Sequence, residues 1–531
     1  MYLSKSKYCS GIQCRKLLWL KTYHPDEANP DAIDQARLDD GTAVGDLAMG
    51  YFGDYQEVPY QPDDFEGMAA LTSQLMQQGA PVICEATFIH DDNLCMVDIL
   101  KKDGDGWQLI EVKGTTSGTF GNKKEPPIKD VFLDDIAFQY WVLTQCDVSV
   151  TSAHLMHLNP DYRRDGDLDL PALFAREDVT EQIRELQSGM ASQVADIKKV
   201  SWGKTEPARP IGVHCDTPYE CPFKRHCWGD LLDQQTVFTI YRIGKKEAHA
   251  AFADGIVTFA DVKARGSHVL SKNSPGRTHQ IEQIELELQQ RDMAVNQSEL
   301  DSFLGKLNYP LYFLDFEAFA QPSPPFDGLK PYDAVPFQYS LHVQREPGAE
   351  PTQFEFLAQE GTDPRRAIAE DLCTHIPVDA NLVAFNATYE QRCLAALAEC
   401  VPDLREQLLA MKSSFTDLLQ PFQSHAVHLR GQHGSKSIKK VLPAICPDDP
   451  SLDYQNLESI NKGDQAGPAF LNLTSMGEPE REQVRQDLLD YCRLDTLGMV
   501  KIVDQLWNVS READPSQASW RERTLASWAD C

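Results

Sequence analysis

Two stretches near residue 100 alternate apolar with polar positions, Met96–Leu100 (MVDIL) and Trp107–Lys113 (WQLIEVK), and the intervening KKDGDG is a polar, glycine-containing turn. The pattern predicts a β-hairpin. Side chains alternate faces along a strand, so Glu111 and Lys113 share one face while Ile110 and Val112 point into a core. Pairing of the two arms brings Asp98 opposite Glu111. Upstream, Val82–Ile89 (VICEATFI) reads as a strand interrupted by Glu85, a carboxylate that is costly there unless paired or metal-bound. Downstream, Asp134–Cys146 has helical apolar spacing with Gln139 inside it, and Val148–Leu158 is a further strand. At the start of the chain CRKLLWL predicts an amphipathic helix carrying Cys14, and a second helix is expected over Ala32–Phe52.

From Gln234 to Asn308 the pattern is helical and polar. IEQIELELQQRDM reads as an exposed helix, and the segment as a connector without chemistry of its own. A new apolar pattern starts at Tyr309. Leu311–Phe319 (LYFLDFEAF) predicts a buried strand, PFQYSLHVQ an adjoining one, and Leu382–Phe385 a third. The third runs into NATYEQRCLAALAEC, read as a helix with Asn386 and Glu390 on one face. EREQVRQDLLDYCRLDTLGMVKIVDQLW predicts a long amphipathic helix, and the chain beyond Ser510 a polar tail. The expectation is an α/β protein of two domains, 1–233 and 309–508, joined by the helical segment 234–308 and followed by the tail 509–531.

Length supports that division, since 531 residues exceed one ordinary core. No apolar run is long enough to span a bilayer, and lysines interrupt the N-terminus where a signal peptide is apolar, so a cytoplasmic protein with no membrane partner is expected. The formal net charge of −30 argues against a protein that coats DNA non-specifically, which is usually basic overall. It leaves room for a metal-dependent nuclease, which needs acids at its centre and only a local basic groove. Lys5, Lys7, Arg15, Lys16, Lys21, Arg163, Arg164, Lys436, Lys439 and Lys440 are the local candidates.

Fourteen cysteines in a cytoplasmic chain are not a disulfide framework. Within HCDTPYECPFKRHCW, Cys215, Cys221 and Cys227 recur every six residues, a grouping suited to zinc or an iron–sulfur cluster. A fourth ligand must come from elsewhere; His214, His226, Cys9 and Cys14 are the candidates.

Two sets of acids carry the candidate chemistry. Asp98, Glu111 and Lys113 on the hairpin suit hydrolysis of a phosphodiester: the carboxylates hold a hard divalent cation and the lysine steadies water or phosphate. Asp315 and Glu317 lie two residues apart on one face of a buried strand, where unpaired charge is expensive. With Glu390 and Asp495 they have the composition of a two-metal site, its ions about 3.5–4 Å apart. Tyr491, one helical turn before Asp495, is positioned to orient the attacking water.

Over residues 309–508 this order resembles the DEDD exonucleases of the ribonuclease H-like fold, in the variant with tyrosine in the third motif; Glu390 stands where those enzymes carry aspartate, and SKSIKKVLP at 435–443 resembles the stretch before that motif. The N-terminal half resembles the RecB/Cas4-like PD-(D/E)XK nucleases, through Asp98, Glu111-Val112-Lys113, Gln139, and Cys14 with Cys215, Cys221 and Cys227. GTAVGDLAMGYF lacks the early-helix histidine of many of those enzymes. Along its whole length the chain resembles the bacterial DUF2779 family. The resemblance implies a restriction-endonuclease-like core and a ribonuclease H-like mixed sheet, together a nuclease acting on DNA in repair or phage defence, with possible protein partners in those pathways. It implies Mg²⁺ or Mn²⁺ on Asp98 and Glu111, with Lys113, Glu85 and Gln139 assisting, and on Asp315, Glu317, Glu390 and Asp495, with Tyr491 placing water. It also implies a structural 4Fe–4S cluster on Cys14, Cys215, Cys221 and Cys227, with zinc as the alternative. The competing expectations are an RNA-processing 3′→5′ exonuclease using only the C-terminal site, and a non-catalytic module that binds nucleic acid or a partner.

Overall fold

The computed structural model describes residues 2–30, 35–116, 128–457, 460–512 and 516–528. They divide into two compact units, the first of residues 1–232 and 321–333 and the second of 233–320 and 334–531. Both are mixed α/β.

In the first unit a seven-stranded sheet runs β2 (Gln56–Glu57), β3 (Val82–His90), β4 (Asn93–Asp103), β5 (Gly106–Thr116), β6 (Val150–Leu158), β7 (Phe174–Asp178), with β1 (Leu3–Ser4) paired to β4. The expected hairpin is β4–β5, antiparallel from Asp103↔Gly106 to Ile99↔Ile110. Its turn needs a left-handed residue, and Gly104 at φ 56 supplies it. Beyond Ile99 the arms stop exchanging ladder bonds. The Val112 amide donates instead to the Asp98 carboxylate, 2.7 Å away. That parting of two central strands opens a notch in the sheet. Parallel pairing of β5 with β6 keeps Glu111 in the interior.

One face of this sheet packs on helices α1 (Lys5–Gln13), α4 (Phe65–Gln77) and α5 (Asp130–Gln145), around Tyr8, Phe138, Leu109 and Val97. The other face, bearing Ile110 and Val112, packs against Val44 and Ala48 of α3 (Gln35–Met49). Both faces are therefore covered, which is why the strands read as near-continuous apolar runs. Ala32–Asp34, placed by sequence in the second helix, lie outside the described residues. Helix α2 (Arg15–Tyr23) carries Leu17, Trp19 and Leu20 into a separate small core with Cys221 and Phe223.

The second unit holds a five-stranded sheet ordered β11 (Thr352–Leu357), β10 (Val335–Gln344), β9 (Leu311–Phe319), β12 (Asn381–Ala384), β13 (Phe415–Asp417). The pairs β11–β10 and β10–β9 are antiparallel, whereas β9–β12 and β12–β13 are parallel. One face carries Leu314, Phe316, Tyr339 and Leu341 and packs on helices Arg365–His375 and Thr388–Cys400. The long helix Glu478–Arg511 packs against β9 and β10. A ribbon of β8 (Met293–Val295) and β14 (Val427–Leu429) completes the strands.

Four expectations are corrected here. The segment 234–308 belongs to the second unit and contributes a core of its own, with Val237, Phe259, Val262 and Ile284 buried. The IEQIELEL stretch is interior: Ile281, Glu282, Gln283, Ile284, Glu285 and Leu286 are all buried. Its apolar positions are few, but its carboxylates are paired with cations and indoles from other elements, so the charge that reads as solvated is satisfied inside. The polar tail contains a helix, Ser516–Ala526, whose Trp520 packs with Leu286, and Trp528 follows it into the same unit's interior. Asn386, expected on a helix face, precedes the helix Thr388–Cys400 in a left-handed conformation (φ 69), with its amide bound to Asp417.

Candidate metal centres

The hairpin brings its residues together as the alternation predicts. Glu111 is 1% exposed, and its carboxylate takes hydrogen bonds from Lys113 Nζ at 2.6 Å and Gln139 Nε2 at 2.6 Å. Lys113 also reaches Asp135 at 2.7 Å, and Gln139 Nε2 reaches the other oxygen of that acid at 3.1 Å. Asp135 and Gln139 are one turn apart on α5, so the helix presents both to the notch. Glu85 stands at the register position facing Asp98, between the pairs Cys84↔Ile99 and Ala86↔Val97, and takes φ 56. A left-handed non-glycine residue inside a strand is strained, and such strain persists where the surroundings enforce it.

Lys5 is the residue that sequence reasoning left among surface candidates. Its Nζ lies 3.2 Å from Asp98 and 3.0 and 3.1 Å from the two oxygens of Glu111. Pairing of β1 with β4 sets it there, and nothing local in SKSK signals it. Burial works to raise the Glu111 carboxyl, but the Lys113 and Lys5 ammoniums hold it well below the usual range. Burial and then the Glu111 charge push Asp98 up. Burial, followed by Asp98, pushes Glu85 up to about 7. Four interior acids, Glu85, Asp98, Glu111 and Asp135, are thus answered by two ammoniums, each ion-paired to two of them.

The second acid set differs in kind. Oxygens of Asp315, Glu317 and Asp495 all lie within 4.8 Å of one another. Strand alternation puts the first two on one face of β9, and the helix Glu478–Arg511 delivers the third. Glu390 is 3% exposed with Oε2 unpartnered; it lies outside that 4.8 Å group, yet its charge raises both Asp315 and Glu317. Burial first and the charge of Asp495 second hold Asp315 and Glu317 well above the carboxylate range. Lys439 is the basic group whose charge reaches Glu317 and Asp495, and its amine sits over the rings of Tyr491 and Tyr454 at 4.9 and 5.1 Å. One lysine against four acids leaves an excess of negative charge that a divalent cation would balance. Three oxygen donors in that arrangement suit Mg²⁺ or Mn²⁺. Tyr491 is buried, and burial, followed by the charges of Asp495, Glu317 and Asp315, pushes its phenol up. Tyr454, which no spacing signal marks, is hydrogen-bonded to Asp495.

The cysteine loop also converges. Cys14, Cys215, Cys221 and Cys227 line one pocket, with Lys16, Arg209, His214 and Lys224 around it, and all four thiols are free. Gln13 of α1 donates to the carbonyls of His214 and Tyr219 at 2.9 and 2.8 Å, fixing Cys14 against the loop. Of the alternative fourth ligands, His226 is engaged by Glu27 at 2.5 Å and Glu206 at 3.1 Å. Cys9 instead lies near the hairpin acids and feels Asp135, Lys113 and Glu111. Among the described residues no three of these sulfurs lie within 4.8 Å of one another, a wider spacing than the roughly 3.8 Å that Zn–S bonds of about 2.3 Å require.

No helix of the described residues is long and apolar enough to cross a membrane. Comparison of the chain with curated proteins and with solved structures returns no match. Residues 312–437, from within β9 to the residue before helix Ile438–Ile445, match one family, described as a domain of unknown function (DUF2779), and this stretch contains Asp315, Glu317 and Glu390 but ends before Tyr454, Tyr491 and Asp495.

Proposed function

We propose that the protein is a metal-dependent nuclease that hydrolyses DNA phosphodiester bonds. The observation that carries this reading is the set of buried Glu317 and Asp495 with half-buried Asp315, Glu390 beside it, and one lysine against the four acids. Burying several carboxylates together without cations is expensive, and sites that tolerate it are those that use it. Mg²⁺ or Mn²⁺ bound there would acidify a water and neutralise charge developing on the phosphate. Asp315, Glu317 and Asp495 supply the oxygen donors, Tyr454 orients the Asp495 carboxylate, and Lys439 offers a positive charge to a phosphate oxygen. The Tyr491 hydroxyl would orient the attacking water. The strand order and directions of the second unit agree with the ribonuclease H-like reading, and the parted hairpin of the first with the PD-(D/E)XK reading. In the first unit Lys113 and Gln139 hold Glu111, while Asp98 and Glu111 are the candidate metal ligands. The cysteine pocket would hold a structural 4Fe–4S cluster.

One observation favours a second reading, in which only the C-terminal site works and RNA is the substrate. Lys5 bridges Asp98 and Glu111, the two oxygen donors of the hairpin site. The two readings separate in a cleavage panel on labelled single- and double-stranded DNA and RNA with Mg²⁺ or Mn²⁺. Loss of DNA cleavage in both Lys113→Ala and Asp315→Asn supports two working sites. Loss in Asp315→Asn alone, with RNA the better substrate, selects the second reading. Metal-independent binding with no cleavage by the wild type would sink both.

A further inference from the structure

The segment 234–308 and the stretch before helix Ile438–Ile445 hold a group of residues that the acid sites do not use. Glu282 lies on the helix Ser274–Leu288, and His425 and His428 flank and enter strand β14. In sequence these are His279-x-x-Glu282 and His425-x-x-His428, two short pairs separated by more than a hundred residues. A three-residue interval stacks side chains on one face of a helix. The fold brings the pairs together. Glu282, His425 and His428 are 0%, 2% and 5% exposed. One oxygen of Glu282, Oε2, lies 3.4 Å from His425 Nδ1 and 4.0 Å from His428 Nδ1. The other oxygen is held by Arg521 Nε at 2.6 Å, so the carboxylate is aimed with Oε2 toward the imidazoles.

Satisfaction is what singles this group out. Glu282 Oε2, His428 Nδ1 and both ring nitrogens of His425 are buried without a hydrogen-bond partner. Leaving such atoms unpaired in an interior is costly, and interiors rarely carry several in contact. His425 is moreover held at φ 58, a conformation disfavoured for a side-chain-bearing residue. The ring of His279 stacks on it, centroids 3.5 Å apart and planes 4° from parallel, which fixes its orientation. One ion among these donors would satisfy at least three of the unpartnered atoms. Tetrahedral bonds of about 2.0–2.1 Å place donors roughly 3.3 Å apart; here Glu282 Oε2 is 3.4 Å from His425 Nδ1 and 4.0 Å from His428 Nδ1, so a small shift of His428 completes the site.

We propose that Glu282, His425 and His428 form a transition-metal site, suited to Zn²⁺, distinct from both acid sites and from the cysteine pocket. Two nitrogen donors select Zn²⁺ and its neighbours over Mg²⁺ and Ca²⁺. Its role is structural: the ion joins the helix Ser274–Leu288 to the ribbon strand β14, and Arg521 extends the tie to the C-terminal helix. Arg521 acts here as outer partner of the ligating carboxylate.

The test is metal content and coordination of the full-length protein. Zinc measured by mass spectrometry is expected to fall by one ion per chain in His428→Gln and in Glu282→Gln, and to stay unchanged in Asp315→Asn. X-ray absorption at the zinc edge of the wild type reads the same point without a variant, because imidazole ligands give a distinctive outer-shell scattering. Imidazole scattering that survives in Asp315→Asn supports the site. Zinc surrounded only by sulfur or only by oxygen, or no zinc retained at all after Zn²⁺ loading and desalting, overturns it.

Discussion

The phenol of Tyr454 donates a 2.5 Å hydrogen bond to Oδ1 of Asp495, forty-one residues further along the chain. Both are buried, and the bond is one the acid retains only while ionised or while its other oxygen carries the proton. Partners of this kind fix the direction of a ligating carboxylate. Tyr454→Phe is therefore expected to raise the Mn²⁺ concentration for half-maximal cleavage about 10–100-fold. The same substitution at Tyr491 should lower the rate at saturating Mn²⁺ and leave the metal requirement nearly unchanged. Metal titrations of cleavage by the two variants check this. Equal metal requirements in Tyr454→Phe and wild type would remove Tyr454 from the site.

Cys14 reaches the cysteine pocket from the junction of two helices, whereas His226 is turned to Glu27 and Glu206. Protein purified without oxygen is expected to be brown, and Cys14→Ser to bleach it as fully as Cys221→Ser. His226→Ala should keep the colour. A ligand at Cys14 closes a loop of some two hundred residues, so both serine variants should also unfold at lower temperature. Visible absorption and thermal unfolding read the two effects. A colourless protein that retains zinc on these thiols would replace the cluster with zinc and leave the ligand set standing.

His342 supplies a pH dependence whose sign is fixed by its burial. It is 4% exposed on β10, with Nδ1 2.8 Å from Thr496 Oγ1, next to Asp495. Burial, and then Arg493, lower its pKa to about 4 from 6.5. The unfolded chain takes up a proton below 6.5 that the folded chain refuses. Stability present above pH 6.5 is then lost progressively as pH falls toward 4, by on the order of 2–3 kcal/mol. His342→Gln should flatten that part of the curve relative to wild type, measured by urea unfolding at fixed pH steps. Parallel curves from pH 6.5 to 4 would show that this imidazole does not titrate as its setting requires.

Period-two alternation made the hairpin legible, because the two faces of β4 and β5 pack into different cores and a slip of register would exchange them. The same rule placed Asp315 with Glu317. A charge inside an apolar run was the signal for Glu85 and Glu317, and repetition was the signal for Cys215, Cys221 and Cys227. Lys5 and Tyr454 carry no such mark. Lys5 sits among polar residues, and Tyr454 in a turn-rich stretch, so neither breaks a pattern. Glu282 misled for the opposite reason: IEQIELEL looks solvated, since a sequence shows charge but not the arginine and imidazoles that meet it.

Local order along the chain determined which residue types lie on the same strand or helix face, and hence the two-unit α/β architecture and most of the candidate ligands. Only the tertiary structure decided which faces meet. It put Lys5 between Asp98 and Glu111, Cys14 beside the distant cysteines, and Glu282 against His425 and His428. The physical reason is that periodicity is a property of neighbours, whereas the balance of buried charge is struck between groups that chain order keeps far apart.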